Sequence, residues 1–522
     1  MKRYLYFALT IVFITLWSSC RKDFEFSPST GNLEFSKDTV YLDTVFTNIG
    51  SSTYNLKVYN RSSDDISIPS LRLALGEASN YRLNVDGVSG KVFEDIPILA
   101  KDSIFIFVES TIDINNFPNP DGNYLYTDQI EFDAGSNLQK VELVTLVQDA
   151  VFIYPNRDNT TKVIETLVFN VDGKLFKSKI QGRVLLPSEL TFTNEKPYVI
   201  YGFAAVPNGE TLTIDAGARI HFHNDSGLMV TSGASLQVNG MYSNDRDVLE
   251  NEVIFEGDRL EPNFSDKPGQ WGSILLLDGS LSSSINYATI KNATTSIYCE
   301  GNPNGISDKL TITNSQIYNS SNHGIVGLNT SIAAENTVIN NSGGVSFAGT
   351  LGGKYNFTHC TVANYWNNGF RQFPTIWIDN RNIGDNENVT VADLAEANFN
   401  NCIIYGNDNA EIRFEEFENE SVVFNFKFTN CLIRFDDRSN EFTGPNYDFD
   451  DTNHYEGNIF NENPDFKDPS LNQFIIGAES AAINKGLPGF ATQVPSDILN
   501  VNRTASPDLG AYQHIVFPEE DN

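Results

Sequence analysis

Six short phrases, NYATIKN, TNSQIYN, ENTVINN, THCTVAN, NNCIIYG and TNCLIRF, recur between residues 286 and 435. Their central aliphatic residues are Ile290, Ile317, Ile339, Val362, Ile404 and Ile433, at intervals of 27, 22, 23, 42 and 29. A basal period of 22 or 23 with larger insertions matches one coil of a parallel β-helix, in which each repeat buries its apolar face only against its neighbours. Brief apolar triplets between Asn- and Gly-rich turns run from about 185 to 440, and helical periodicity is nearly absent. That span accommodates roughly ten coils stacked ~4.8 Å apart, a rod on the order of 50 Å long.

The same alignment assigns roles to a histidine–cysteine pair that otherwise resembles a nucleophile and its base. Cys360 falls in a column with Ala288, Ser315, Thr337, Cys402 and Cys431, a small position in a stacked core. His359 falls one place earlier, with Tyr287, Asn314, Asn336, Asn401 and Asn430, where side-chain amides can form a ladder between coils. Both residues are therefore expected to be structural. Cys360 and Cys402 could still pair, although five scattered cysteines do not make a disulfide framework.

Ahead of the repeats, residues 33–150 alternate in twos (DTVYLDTVF, YNLKVYN, SIFIFVES), which reads as the short strands of a β-sandwich. The chain opens Met1-Lys2-Arg3, then an apolar run from Tyr4 to Trp17, then Ser18-Ser19-Cys20. This is the pattern of a secretory signal, too short for a comfortable membrane span. With 67 acidic against 35 basic residues, the net charge of −32 offers no footprint for nucleic acid.

Several of these stretches carry resemblances. Ser18-Ser19-Cys20 resembles a bacterial lipobox, with Trp17 three places before the cysteine and the usual leucine displaced to Leu16. The resemblance implies lipidation at Cys20, and an ordinary signal peptide is the alternative. Arg21-Lys22-Asp23-Phe24-Glu25 resembles the surface-export signal of lipoproteins in the Bacteroides and Flavobacterium group. IGSSTYNLKVYN and SIFIFVESTID resemble immunoglobulin-like modules that precede functional domains in such lipoproteins. The stretches at 209–240 and 268–279, the repeats, and the tail phrases NPDFKDPSLNQFIIGAESAAINKGL and SPDLGAY resemble the right-handed parallel β-helix family of secreted bacterial proteins. That resemblance specifies architecture far better than activity, because the fold carries lyases, hydrolases, epimerases, adhesins and passive stalks.

The expected organisation is a signal peptide over 1–19, a lipidated linker over 20–32, a sandwich over 33–150 and a connecting segment over 151–184. A right-handed, single-stranded parallel β-helix over 185–450 and a capping segment over 451–522 complete it. The long insertion between Val362 and Ile404 gathers Tyr365, Trp366, Phe370, Arg371, Trp377, Asp379 and Arg381. Aromatic faces stack on sugar rings while Arg and Asp bond hydroxyls, so this loop is the candidate ligand site, against the alternative of a packed flap. Asp448, Asp450 and Asp451, with Asn453, offer oxygens suited to Ca2+, against a solvated turn. His221 and His223 share a strand face without a visible third metal ligand. Trp271 is expected to pack in the core.

Three functions follow as expectations. The first is an outer-membrane lipoprotein displaying a β-helix that binds polysaccharide or another surface component. The second is a polysaccharide lyase or glycoside hydrolase with its groove along the coils, and the third is a passive adhesin or stalk. The acidic balance favours a neutral glycan over a polyanion unless Ca2+ bridges them.

Overall fold

The protein is described as a computed structural model covering residues 25–118, 122–171, 174–384 and 388–518. The signal segment and Cys20 lie outside the described residues. Two compact units are present, Met1–Asp149 and Ala150–Asn522.

The first unit is a β-sandwich of a six-stranded and a five-stranded sheet. Period-two patterning builds it: in Ser103–Ser110, Ile104, Ile106 and Val108 are buried while Phe105 and Phe107 face outward. Ser27–Pro28, in the expected linker, pairs with the strand Ile66–Leu73 and so already belongs to this unit.

The second unit is a parallel β-helix. Among the described residues its coils stack into three sheets of eleven, ten and ten strands, within which successive coils pair in parallel. The repeat alignment is also the register. Ile290 pairs with Ile317, then Ile339, Val362, Ile404 and Ile433 in unbroken succession, and all six are fully buried. Next to it, Ala288, Ser315, Thr337, Cys360, Cys402 and Cys431 are likewise fully buried. Deeper in the third sheet an aromatic stack runs from Phe357 to Phe399 at 5.0 Å, to Phe428 at 4.9 Å and to Tyr455 at 5.6 Å.

The polar column makes the corner between the third sheet and the first. Tyr287, Asn314, Asn336, His359, Asn401 and Asn430 all have positive φ, between 43° and 52°. Asparagine tolerates this left-handed conformation and histidine is enriched in it as well, which explains the residue types that fill the column. Asn336 donates to Asn314 at 2.9 Å, Asn314 to Asn286 at 3.0 Å, and Asn401 to His359 Nε2 at 3.0 Å.

Three sequence expectations change in detail. The interval of 42 holds two insertions, at 365–375 and 380–393, separated by an ordinary strand, Ile376–Asp379. The segment 151–184 is part of the helix rather than a connector. Val151–Ile153 heads the first sheet, and a hairpin of Thr166–Val171 and Lys174–Val184 heads the second. Gly182 lets the hairpin leave that sheet, since a Cβ there would lie 2.3 Å from the Phe203 carbonyl oxygen.

The third change concerns the C-terminal segment. Phe442, Tyr447 and Phe449 pack against the end of the core, with Tyr447 Oη accepting from Phe414 N at 2.8 Å, and thereby close it. Residues beyond 460 turn back along the side of the coils. Phe474, Ile498, Ala511 and Tyr512 cover Val338 and Ala363, while Ile476, Ala482 and Leu509 cover Ile403 and Leu432. The fully buried Arg503 donates to Asn336 Oδ1 and to the Gly510 carbonyl, each at 3.0 Å.

Candidate functional site

The three outward faces of the helix differ in kind. The first sheet is covered over its later coils by the C-terminal segment. The third presents a mostly polar column to solvent, Thr213, Gln237, Ser284, Thr311, Ala333, Asn356, Asn398 and Lys427. The second presents Ala205, Met229, Leu275, Tyr298, Val326, Ala348, Trp377 and Arg413 in register. From Leu275 to Trp377 this column floors a groove of about 810 Å³. An apolar concavity with a few converging polar groups is the form small-molecule and glycan sites take.

The corner between the first and second sheets supplies one wall. Successive coils contribute Asp225, Ser273, Thr294 with Thr295, Asn322 with His323, Val345 and Phe373. The wall is therefore rich in hydroxyl, amide and imidazole groups while the floor is not. Asp225 is the only acidic residue and there is no Lys or Arg among the described residues that line the groove.

Hydrogen bonds hold the aromatic floor residues in place. Tyr298 Oη donates to Glu300 Oε2 at 3.2 Å, and burial pushes its hydroxyl pKa up to about 12, so it remains a protonated donor. Trp377 Nε1 donates to Asp379 Oδ2 at 3.1 Å, and Asp379 Oδ1 accepts from Leu351 N at 2.8 Å. Burial raises the Asp379 carboxyl above its ordinary value, against the pull of these donors. The Arg413 guanidinium lies 5.2 Å from the Trp377 ring centroid.

His323 is fixed as a neutral ring. Its Nδ1 accepts from Val345 N at 3.2 Å and burial lowers its pKa, which leaves the proton on Nε2 as a donor.

The residues expected to share one binding loop are dispersed. Trp377 and Asp379 lie on the strand Ile376–Asp379, with Trp377 in the groove. Tyr365 packs edge-on to Phe466 at 6.3 Å and beside Phe474 at 6.0 Å, beneath the C-terminal segment. Trp366, Phe370 and Arg371 line a separate open depression with Asn407 and Asp408, and Phe370 is 86% exposed. Arg371 is buried on Glu411: Nη1 meets Oε1 at 2.8 Å, and the Glu411 carboxylate also accepts from Thr375 N and Asp408 N at 3.0 Å. It anchors the loop. Arg381 begins a small hairpin and lies 3.6 Å from Glu415.

The candidate metal ligands are not brought together. Asp448 Oδ1 accepts from Asp450 N at 3.2 Å, and Asp451 Oδ1 from Asn453 N at 3.0 Å, so each closes its own turn beside the aromatic end cap. His221 is buried with Nδ1 3.2 Å from the Gly257 carbonyl, and His223 pairs with Asp258 at 2.7 Å. Among the described residues no group of three His, Cys, Asp or Glu side chains could hold a metal ion. Cys299, Cys360, Cys402 and Cys431 are buried free thiols, so the pairing of Cys360 with Cys402 is absent. Trp271 is buried, stacked on Phe222 at 4.3 Å, with Nε1 donating to the Lys291 carbonyl at 2.8 Å.

Tyr298, His323, Phe203 and Phe373 also line the groove and were not singled out from sequence. The signal is present in a second alignment: in IL, IY, IV, FA and IW, at residues 274, 297, 325, 347 and 376, the first residue is buried and the second gives the groove floor.

No family model matches the chain, and no curated protein matches it. Among solved structures it is similar to the catalytic unit of a GH87 α-1,3-glucanase from Streptomyces thermodiastaticus, at 11% identity and TM-score 0.28, covering 72% of this chain and 74% of that one. It is also similar to a periplasmic alginate epimerase, at 8% identity and TM-score 0.21, covering 61% and 89%. A family 123 glycoside hydrolase from Clostridium perfringens matches at 9% identity and TM-score 0.16 over 22% of this chain, which spans 26% of that one. Scores this low carry no argument about chemistry. The fold rests on the strand pairing itself.

Proposed function

We propose that the groove on the second sheet binds a neutral glycan, and that the protein displays this β-helix at the cell envelope through a lipid on Cys20. The observation that supports binding is the uncovered column Leu275–Tyr298–Val326–Ala348–Trp377, bordered by a wall of hydroxyl, amide and imidazole donors. Sugar rings have apolar faces that stack on Tyr298 and Trp377, and hydroxyl rims that bond to Thr294, Asn322 and His323. Strands ~4.8 Å apart put the two aromatic residues, three pairings removed from each other, about 14 Å apart along the groove, room for several sugar rings.

The lining suits binding better than hydrolysis. Glycoside cleavage needs two carboxyl groups about 5–10 Å apart across the scissile bond, and Asp225 alone lines this groove among the described residues. Among the described residues the lining also has no Lys or Arg to hold a uronate.

A panel of neutral and acidic polysaccharides tests the reading by retention in affinity gels, with parallel assays for reducing ends and unsaturated products. Retention of a neutral glycan by the wild-type protein, and its loss in Trp377→Ala, is the expected result. Release of either product would replace binding with turnover. The lipid anchor is tested separately by comparing the membrane fraction of cells expressing wild-type protein and Cys20→Ala.

A further inference from the structure

We propose that the groove recognises the end of a glycan chain, not its middle; this rests on the glycan reading above. The column that floors the groove is open over only part of its length. Two of its early members, Ala205 and Met229, are each 1% exposed because Leu167, Phe169 and Ile180 of the hairpin pack over them. Phe203 and Leu275 belong to this same packed cluster and also line the groove. The hairpin is therefore a stop built across one end of the floor. Its departure from the sheet is fixed at Gly182, where no side chain fits.

Among the described residues, no comparable packed cluster covers the floor at the other end. Beyond Trp377 the column continues to the half-exposed Arg413 on the last strand of the sheet, Ile412–Glu415. Arg413 lines a second depression with Asp436 and Arg438. A chain entering the groove can leave over Arg413 but meets the hairpin, packed against Phe203 and Leu275 at the opposite end of the floor, as a wall. Its terminal unit is held there, and successive units lie over Tyr298 and Trp377.

Calorimetric titration of wild-type protein with neutral glucans and mannans, as oligomers of graded length and as their parent polymers, tests this. We expect affinity to rise with oligomer length until the groove is filled, and one protein bound per polymer chain whatever its length. Several proteins per polymer chain, in proportion to length, would overturn end recognition while leaving the groove a glycan site. Failure of every probe to bind would overturn the glycan reading and this proposal together.

The double variant Phe169→Ser/Ile180→Ser removes the packing that holds the hairpin down. It should convert one protein per chain into several. Unchanged stoichiometry in a folded variant would overturn the hairpin's part. Should that variant fail to fold, the wild-type stoichiometry still decides the proposal.

Discussion

Trp377 and Tyr298 stand on one outward column of the second sheet with only Val326 and Ala348 between them. Trp366, eleven residues before Trp377, faces a different depression. Trp377→Ala should therefore weaken a bound neutral glycan about 10-fold, ~1.4 kcal/mol, while Trp366→Ala changes affinity less than about 2-fold. Titration calorimetry on both variants makes the comparison, with circular dichroism to confirm that the fold is retained.

Arg371 has a different task. Its side chain is 6% exposed and that of Glu411 is fully buried. Removing one partner of such a pair leaves an uncompensated buried charge, so Arg371→Ala should cost about 3–5 kcal/mol in urea unfolding. Arg371→Lys should recover only part, because Lys lacks the planar fork that meets both carboxylate oxygens.

His359 couples stability to pH. Burial, and next the Arg503 guanidinium, hold its imidazole well below the ordinary value. Between that depressed value and about 6.5, the unfolded chain binds a proton that the folded protein refuses, so stability rises with pH across the window. Acidification from neutrality through about 6.5 thus removes stability. Asparagine fills the equivalent corner in neighbouring coils at the same positive φ. His359→Asn should lose this dependence and be more stable relative to wild type at pH 5 than at pH 8, as read by denaturant midpoints at the two values.

The cysteines should be silent. Burial raises the Cys360 and Cys402 thiols well above the ordinary range, and Cys299 and Cys431 are also buried. Native protein lacking the signal segment and Cys20 should give no reaction with Ellman's reagent, and should release all four thiols in guanidinium. Cys360→Ser should cost about 1 kcal/mol or less, since Ser315 occupies the same fully buried column.

The coil register was legible in the sequence because one face of the first sheet repeats a full motif. Each aliphatic residue from Ile290 to Ile433 is preceded by two further markers, the small column two places before it and the left-handed corner three places before it. The groove was less legible because its floor is defined by exposure, and the residue type varies from Leu275 to Ala348 to Trp377. The loop beginning at Tyr365 drew attention by composition, yet one strand divides it, and two of its strongest polar candidates serve structure: Arg371 pairs with Glu411, and Asp379 orients Trp377. Sequence spacing shows which residues are near in the chain, whereas a solenoid brings together residues about one coil apart.

The return of the C-terminal segment along the first sheet also sets an order of assembly. A solenoid can fold coil by coil as it is synthesised, and the bonds from one coil to the next need nothing further. Here Arg503 reaches back to Asn336, Gly510 N to the Asn401 carbonyl and Ala511 N to Thr361 Oγ1. Val338, Ile403 and Leu432 consequently stay bare to water until residues 474–512 have emerged. Residues 474–512 are translated after the coils whose apolar flank they cover, so a product that stops short of them carries its own sticky flank as a mark of incompleteness.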